Sequence, residues 1–221
     1  MKQNLILEVK NALKKIDCKG LPTNSEDSLT FEIPSWDQTY SLLLELANSV
    51  KKSGFNPDII VGISRGGLIP ARILSDLLEI TKLANIAVEF YVGVAKTKLK
   101  PVITQPVSVS VENKNVLIVD DLTDTGKSLS LVNSHLIAKG ASEIKIATIF
   151  YKPWSSIVPH YFQKETQSWI VFPWERKEII RKIVEDFKNK GKSINYIKEK
   201  LISSGLKKEV TERLVKEIFG E

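Results

Sequence analysis

Cysteine is nearly absent: the 221 residues contain only Cys18, and histidine only His135 and His160. A single cysteine excludes an internal disulfide framework and a cysteine-rich zinc site. Any metal is therefore expected to be bound by oxygen. No apolar run approaches the roughly 18 residues needed to cross a bilayer, which argues against a membrane partner. The opening stretch MKQNLILEVKNALKKID mixes apolar and charged side chains. It lacks the continuous apolar core of a secretory leader, so a cytoplasmic location is expected. Eleven Gly and nine Pro are too few for a collagen-like or Pro-rich chain, and no internal repeat is visible.

What is present reads as globular. Apolar residues make up 43% and charged residues 26%, which excludes wholesale disorder. The length fits one full domain plus a part. The net charge of +6 is uneven, since residues 176–221 hold 13 Lys and Arg against 8 Asp and Glu. A basic tail can serve nucleic acid or an anionic surface. Interleaved Lys and Glu, as in RKIVEDFKNK, instead describe solvated helix faces.

Leu5, Ile6, Val9, Leu13 and Ile16 fit a short helix over 4–16, and KGLPTNSEDSLT reads as a polar linker. Residues 35–54 read as a helix with Ser35 as N-cap and Gly54 as its stop. DIIVGIS is a buried strand, GLIPARILSDLLEI a helix and IAVEFYVGV a strand. The stretch 95–114 is irregular or hairpin-like, with β-branched alternation in VSVSV. NVLIVDD is the clearest buried strand. A helix to Gly140 and the strand EIKIATIFYK follow. Strands separated by helices in this order predict an α/β fold with a mostly parallel, doubly wound sheet. Beyond Trp174 three apolar helix faces are separated by Gly191 and Gly205.

The segment NVLIVDDLTDTGKSL carries the chemistry. An apolar strand runs into Asp120, Asp121 and Asp124, then Thr125-Gly126-Lys127-Ser128 opens a helix. Three carboxylates so close repel one another, and open α/β sheets bind ligands at this end of the strands. The turn into the helix offers backbone N–H groups to an anion. Neither the first glycine of a P-loop nor a dinucleotide fingerprint is present.

VLIVDDLTDTGKS resembles the phosphoribosyl-pyrophosphate (PRPP) motif of the type I phosphoribosyltransferases. VGISRGGLIPAR, ATIFYKP and WIVFPWE are similar to further motifs of that family, in its 6-oxopurine (xanthine/guanine/hypoxanthine) branch and archaeal form. The resemblance covers roughly residues 31–175. It implies a type I phosphoribosyltransferase fold with a mobile hood over the site, at residues 91–105 with Tyr91, Lys98 and Lys100 as contacts. It divides the chain into an N-terminal helix and linker (1–30), the phosphoribosyltransferase domain (31–175) and a basic helical C-terminal extension (176–221).

The resemblance also implies roles. Asp120 and Asp121 would hold the ribose hydroxyls and position Mg2+ with PRPP, partly through water. Thr125, Gly126, Lys127 and Ser128 would cradle the 5′-phosphate. Asp124 would exchange a proton with the imidazole-ring nitrogen of the purine, and its presence argues against adenine. Ser64, Arg65, Gly66 and Gly67 would bind pyrophosphate, with a cis peptide expected at Ser64–Arg65. Lys152 would donate to the purine 6-oxygen, Trp169 would stack on the base and Ile170 would meet its 2-position edge through the main chain. Val171 stands where xanthine-preferring relatives carry an acid, which leaves the choice among guanine, hypoxanthine and xanthine open. The expected function is purine salvage as a homodimer or homotetramer. A PRPP-binding regulator of nucleic acid acting through the basic tail is the alternative. The purine-facing set of Asp124, Lys152 and Trp169 argues against it.

Overall fold

The computed structural model describes residues 30–92 and 99–219. The expected N-terminal helix and the linker up to residue 29 lie outside the described residues, as does Lys98. The described chain forms two compact units, one of residues 44–165 and one of residues 30–43 and 166–219.

The first unit is built on a six-stranded sheet in the order β4-β3-β2-β5-β6-β7. Its strands are β2 (Ile59–Ser64), β3 (Leu83–Val92), β4 (Leu99–Gln105), β5 (Asn115–Thr123), β6 (Glu143–Tyr151) and β7 (Tyr161–Glu165). All neighbours run parallel except β4, which is antiparallel to β3. The buried stretches 59–63 of β2 and 116–119 of β5 are apolar because both faces are covered. Ile59, Val61 and Ile63 of β2 share a core with Leu129, Val132 and Leu136 of a helix at Lys127–Ala138. Gly62 faces the other way, and a Cβ built there would sit 2.9 Å from Ala71 Cβ in a helix at Leu68–Leu77. The sheet is thus doubly wound, as expected.

Within the stretch 95–114, expected to be irregular or hairpin-like, β4 is an antiparallel hairpin arm and VSVSV (107–111) is irregular. Val107 packs on the core and Val111 is buried in it, while Val109 remains 43% exposed. The alternation therefore marks an irregular crossing segment pinned at two points. The edge strand β7, YFQKE, has no apolar pattern of its own and was not foreseen.

In the second unit β1 (Phe31–Glu32) pairs in parallel with β8 (Trp169–Ile170). The first helix among the described residues, α1 (Trp36–Lys52), opens with a capping box, and the boundary between the units falls inside it. Gln38 N–H donates to Ser35 Oγ at 3.1 Å and Ser35 N–H to Gln38 Oε1 at 2.8 Å, satisfying two end donors reciprocally. The helices at Leu68–Leu77 and Lys127–Ala138 are α2 and α3. The remaining three, α4 (Arg176–Asn189), α5 (Ile194–Ser203) and α6 (Lys208–Phe219), follow the foreseen spacing. Their apolar faces close on one cluster that includes Ile180, Val184, Phe187, Ile197, Leu201 and Val215. Val171 belongs to this cluster, and Phe31 and Trp169 pack against it. Residues 166–175 therefore fall with the helices, whereas the sequence had them ending the preceding domain. Among the described residues, no helix is long and apolar enough to cross a membrane.

Candidate active site

The strand order reverses between β2 and β5. From β2 the chain crosses to β3 on one side, and from β5 it proceeds to β6 and β7 on the other. A crevice opens at the carboxyl ends of strands where such a reversal occurs. Pairing of β2 with β5 ends at Gly62↔Val119, so Ser64–Gly67 and Asp120–Asp121 emerge side by side just beyond it.

The two loops touch. The Ser64–Arg65 peptide is cis, as expected. A side chain at Gly66 would run directly into the Asp121 carboxylate. Glycine there lets the loop lie against that acid without displacing it, and at the adjoining Gly67 a Cβ would meet the backbone of Val119 and Ile63. Asp120 Oδ1 accepts the Asp121 N–H at 3.0 Å. Among the described residues, no group of three or more His, Cys, Asp or Glu could hold a metal ion. Two carboxylates are what a Mg²⁺ needs when most of its ligands are substrate oxygens and water, so the donor set fits that ion.

Past Thr123 the chain turns at Gly126, whose φ of 77° is left-handed, and enters α3 with no side-chain cap. The uncapped first turn leaves its amides to an outside acceptor. The opposite wall of this turn is the segment after β6. Ser156 donates from both Oγ (2.9 Å) and N–H (3.2 Å) to the Thr125 carbonyl. A Cβ at Gly126 would meet Ser155 Oγ at 2.7 Å, Ser156 Oγ at 2.8 Å and Ile157 N at 2.9 Å. Glycine is required twice over, by dihedral and by space.

Lys152 follows directly on β6, and its N–H donates to the Thr123 carbonyl at 2.9 Å. This bond extends the β5–β6 register by one step and sets Asp124 and Lys152 on adjacent chains. Lys152 is only 5% exposed. Its Nζ lies 5.3 Å from the ring centroid of Trp154, and the Trp154 indole N–H donates to Asp124 Oδ1 at 3.0 Å. The sequence reading missed Trp154, Ser155 and Ser156. The only signal for them was their place immediately after the strand-end lysine.

The first unit therefore brings together Ser64–Gly67, Asp120, Asp121, Asp124–Ser128 and Lys152. Trp169 and Ile170 form β8 in the second unit, Ile170 buried and Trp169 half-buried against the helical cluster. Of the hood, β3 and β4 are an antiparallel pair that carries Lys100 exposed on β4; residues 93–98 and the side chain of Tyr91 lie outside the described residues.

The chain is similar to known proteins over this region. The chain is 33% identical over 148 residues to a xanthine-guanine phosphoribosyltransferase of Cereibacter sphaeroides, covering 64% of this chain and 84% of that one. It is 31% identical to the enzyme of the same name from Gluconobacter oxydans, covering 64% and 82%. The crystal structure of a purine phosphoribosyltransferase from Pyrococcus horikoshii superposes with a TM-score of 0.60 at 43% identity, covering 66% of this chain and 94% of that one. The family model for the phosphoribosyl transferase domain matches residues 32–178. That span takes in both loops of the crevice, the phosphate turn, Lys152 and β8, and the chain is a member of the phosphoribosyltransferase family.

Proposed function

We propose that the protein is a purine-salvage phosphoribosyltransferase that moves ribose 5-phosphate from PRPP to a ring nitrogen of a 6-oxopurine and releases pyrophosphate. The observation that carries this reading is the contact of the acidic strand end with the glycine loop across the switch point, Asp121 against Gly66. Guanine, hypoxanthine and xanthine are the bases in question, consistent with the names of the two enzyme relatives.

The bond from the anomeric carbon to the pyrophosphate oxygen breaks and the bond to the purine nitrogen forms. The leaving electrons end on pyrophosphate, and the ring proton passes to Asp124. The amides of 125–128 hold the 5′-phosphate, and Asp120 and Asp121 hold the ribose hydroxyls. Most of the acceleration is thus positional. Arg65 and the backbone of 64–67 meet the growing negative charge on pyrophosphate. Asp120 and Asp121 are the residues that would hold Mg²⁺, partly through water; the ion, when bound, neutralises pyrophosphate charge. Lys152 meets the purine 6-oxygen, Trp169 stacks on the ring and Ile170 meets its 2-position edge. We place the enzyme in the cytoplasm as a dimer or tetramer, in keeping with the sequence reading.

The test is a panel of guanine, hypoxanthine, xanthine and adenine with PRPP and Mg²⁺, comparing kcat/KM. Transfer to one or more 6-oxopurines and none to adenine is expected. Asp124→Asn is expected to lower kcat by about 100-fold with the KM for PRPP nearly unchanged. Wild-type kcat in that variant would remove Asp124 from proton transfer.

A further inference from the structure

We propose that Trp154 is a positioning residue for the transfer: its indole N–H fixes one oxygen of the Asp124 carboxyl while its ring lies against the Lys152 ammonium. One side chain would then set both groups that meet the purine from this unit. The inference rests on the reading of Asp124 and Lys152 given above and adds a residue to it.

The direction of the hydrogen bond is not open to choice. An indole nitrogen donates and cannot accept, so Asp124 Oδ1, 3.0 Å away, must be the acceptor. That oxygen is committed to a donor and cannot at the same time carry a proton toward the indole. Oδ2 is left as the oxygen that receives the purine ring proton. The carboxyl is therefore oriented before substrate arrives, which is where positional catalysis gains its rate.

The lysine is constrained from the same ring. Lys152 is almost wholly buried, yet its Nζ stays 5.3 Å from the Trp154 centroid, within the range of attraction between an ammonium and an aromatic face. Trp154 itself is 38% exposed. A tryptophan that merely filled the core would be covered, whereas this one is half open and spends its only polar atom on Asp124. Its loop is held at both ends: Ser155 N–H donates to the Lys152 carbonyl at 3.0 Å, and Ser156 is tied to Thr125. The segment 152–156 is therefore a short rigid brace running from the lysine to the phosphate turn, with the indole at its middle.

Trp154→Phe separates the two functions, keeping a ring near Lys152 and deleting the donor. In the full-length protein with PRPP and a 6-oxopurine, kcat is expected to fall about tenfold, with the KM for PRPP changed by less than about twofold. A purely structural role would add its cost to any other variant. A role through Asp124 predicts that Trp154→Phe costs nothing further in an Asp124→Ala background. The indole signal that Trp154→Phe removes from a ¹H–¹⁵N spectrum is also expected to shift in Asp124→Ala. A wild-type protein that converts a base beside a Trp154→Phe variant of equal kcat overturns the positioning role alone. So does an indole signal unmoved by Asp124→Ala, or a full extra loss in the double variant. A wild-type protein that transfers to no base ends the parent reading and this role with it.

Discussion

At the carboxyl edge of the sheet, Asp120, Asp121 and Asp124 crowd one strand end, while along the three C-terminal helices opposite charges alternate. The helical charges find each other one turn apart: Lys182 with Glu178 at 2.8 Å, Lys190 with Asp186 at 3.0 Å, Arg213 with Glu217 at 3.1 Å. Such exposed pairs contribute little each and keep helix faces soluble. The acids of the rim share one sign, and one of them lies against the glycine loop at Gly66. Charge that is costly to gather belongs to a ligand site, and charge that neutralises itself locally belongs to a solvated surface. By this criterion the excess positive charge of the tail is a property of its outer faces. We therefore propose that the function lies at the sheet rim.

The sharpest way to break that contrast is Gly126→Ala. The left-handed φ costs about 1–2 kcal/mol for any residue with a Cβ. The new methyl would also meet Ser155, Ser156 and Ile157 within 2.9 Å. The first turn of α3 must then move away from the brace. We expect kcat/KM for PRPP to fall by about 100-fold or more, with the protein still folded by circular dichroism. PRPP kinetics equal to wild type would mean the turn does not cradle the phosphate.

The next largest effect tests whether the helices are an appendage or a support. Leu201 is fully buried in the cluster against which Trp169 packs. Leu201→Ala is expected to cost about 2–5 kcal/mol of stability, because the cavity collapses only in part. If β8 stacks the base as proposed and the cluster backs it, the KM for the purine should rise several-fold while that for PRPP stays put. Equal changes in both, after correction for folded fraction, would make the cluster a matter of stability only.

Why some of this was legible and some not follows from the range of the interactions. The centres of β2 and β5 are buried on both faces, so 59–63 and 116–119 are apolar runs that need no partner to be recognised. The phosphate turn is equally local, since Thr125 to Ser128 fix both its glycine and its helix start. The alternation in VSVSV reports one-sided burial, which Val107 and Val111 achieve without a ladder. β7 is an edge strand whose pairing partner, not its composition, defines it. The packing of Val171 and Trp169 on the helices was not legible, because those residues meet the helices only in three dimensions. Trp154 escaped for the same reason: its donor reaches Asp124, thirty positions earlier in the chain.

The smallest expected effect lies in the tail itself. Hydrogen bonds from Lys177 at 2.7 Å and Arg213 at 3.1 Å hold the Glu217 carboxyl below its ordinary value of 4.5. Folding thus favours the ionised form. Its contribution is complete above 4.5 and fades as pH falls through the lowered value. Glu217 is a solvent-facing partner, so screening keeps the gain small. Glu217→Gln should lower Tm slightly at neutral pH, and the gap to wild type should close as the solution is acidified. Transfer kinetics should not change at any pH where the protein is folded. A loss of kcat in Glu217→Gln would mean that paired charges on the helices reach the chemistry, and the division between a functional rim and a solvated surface would fail at that point.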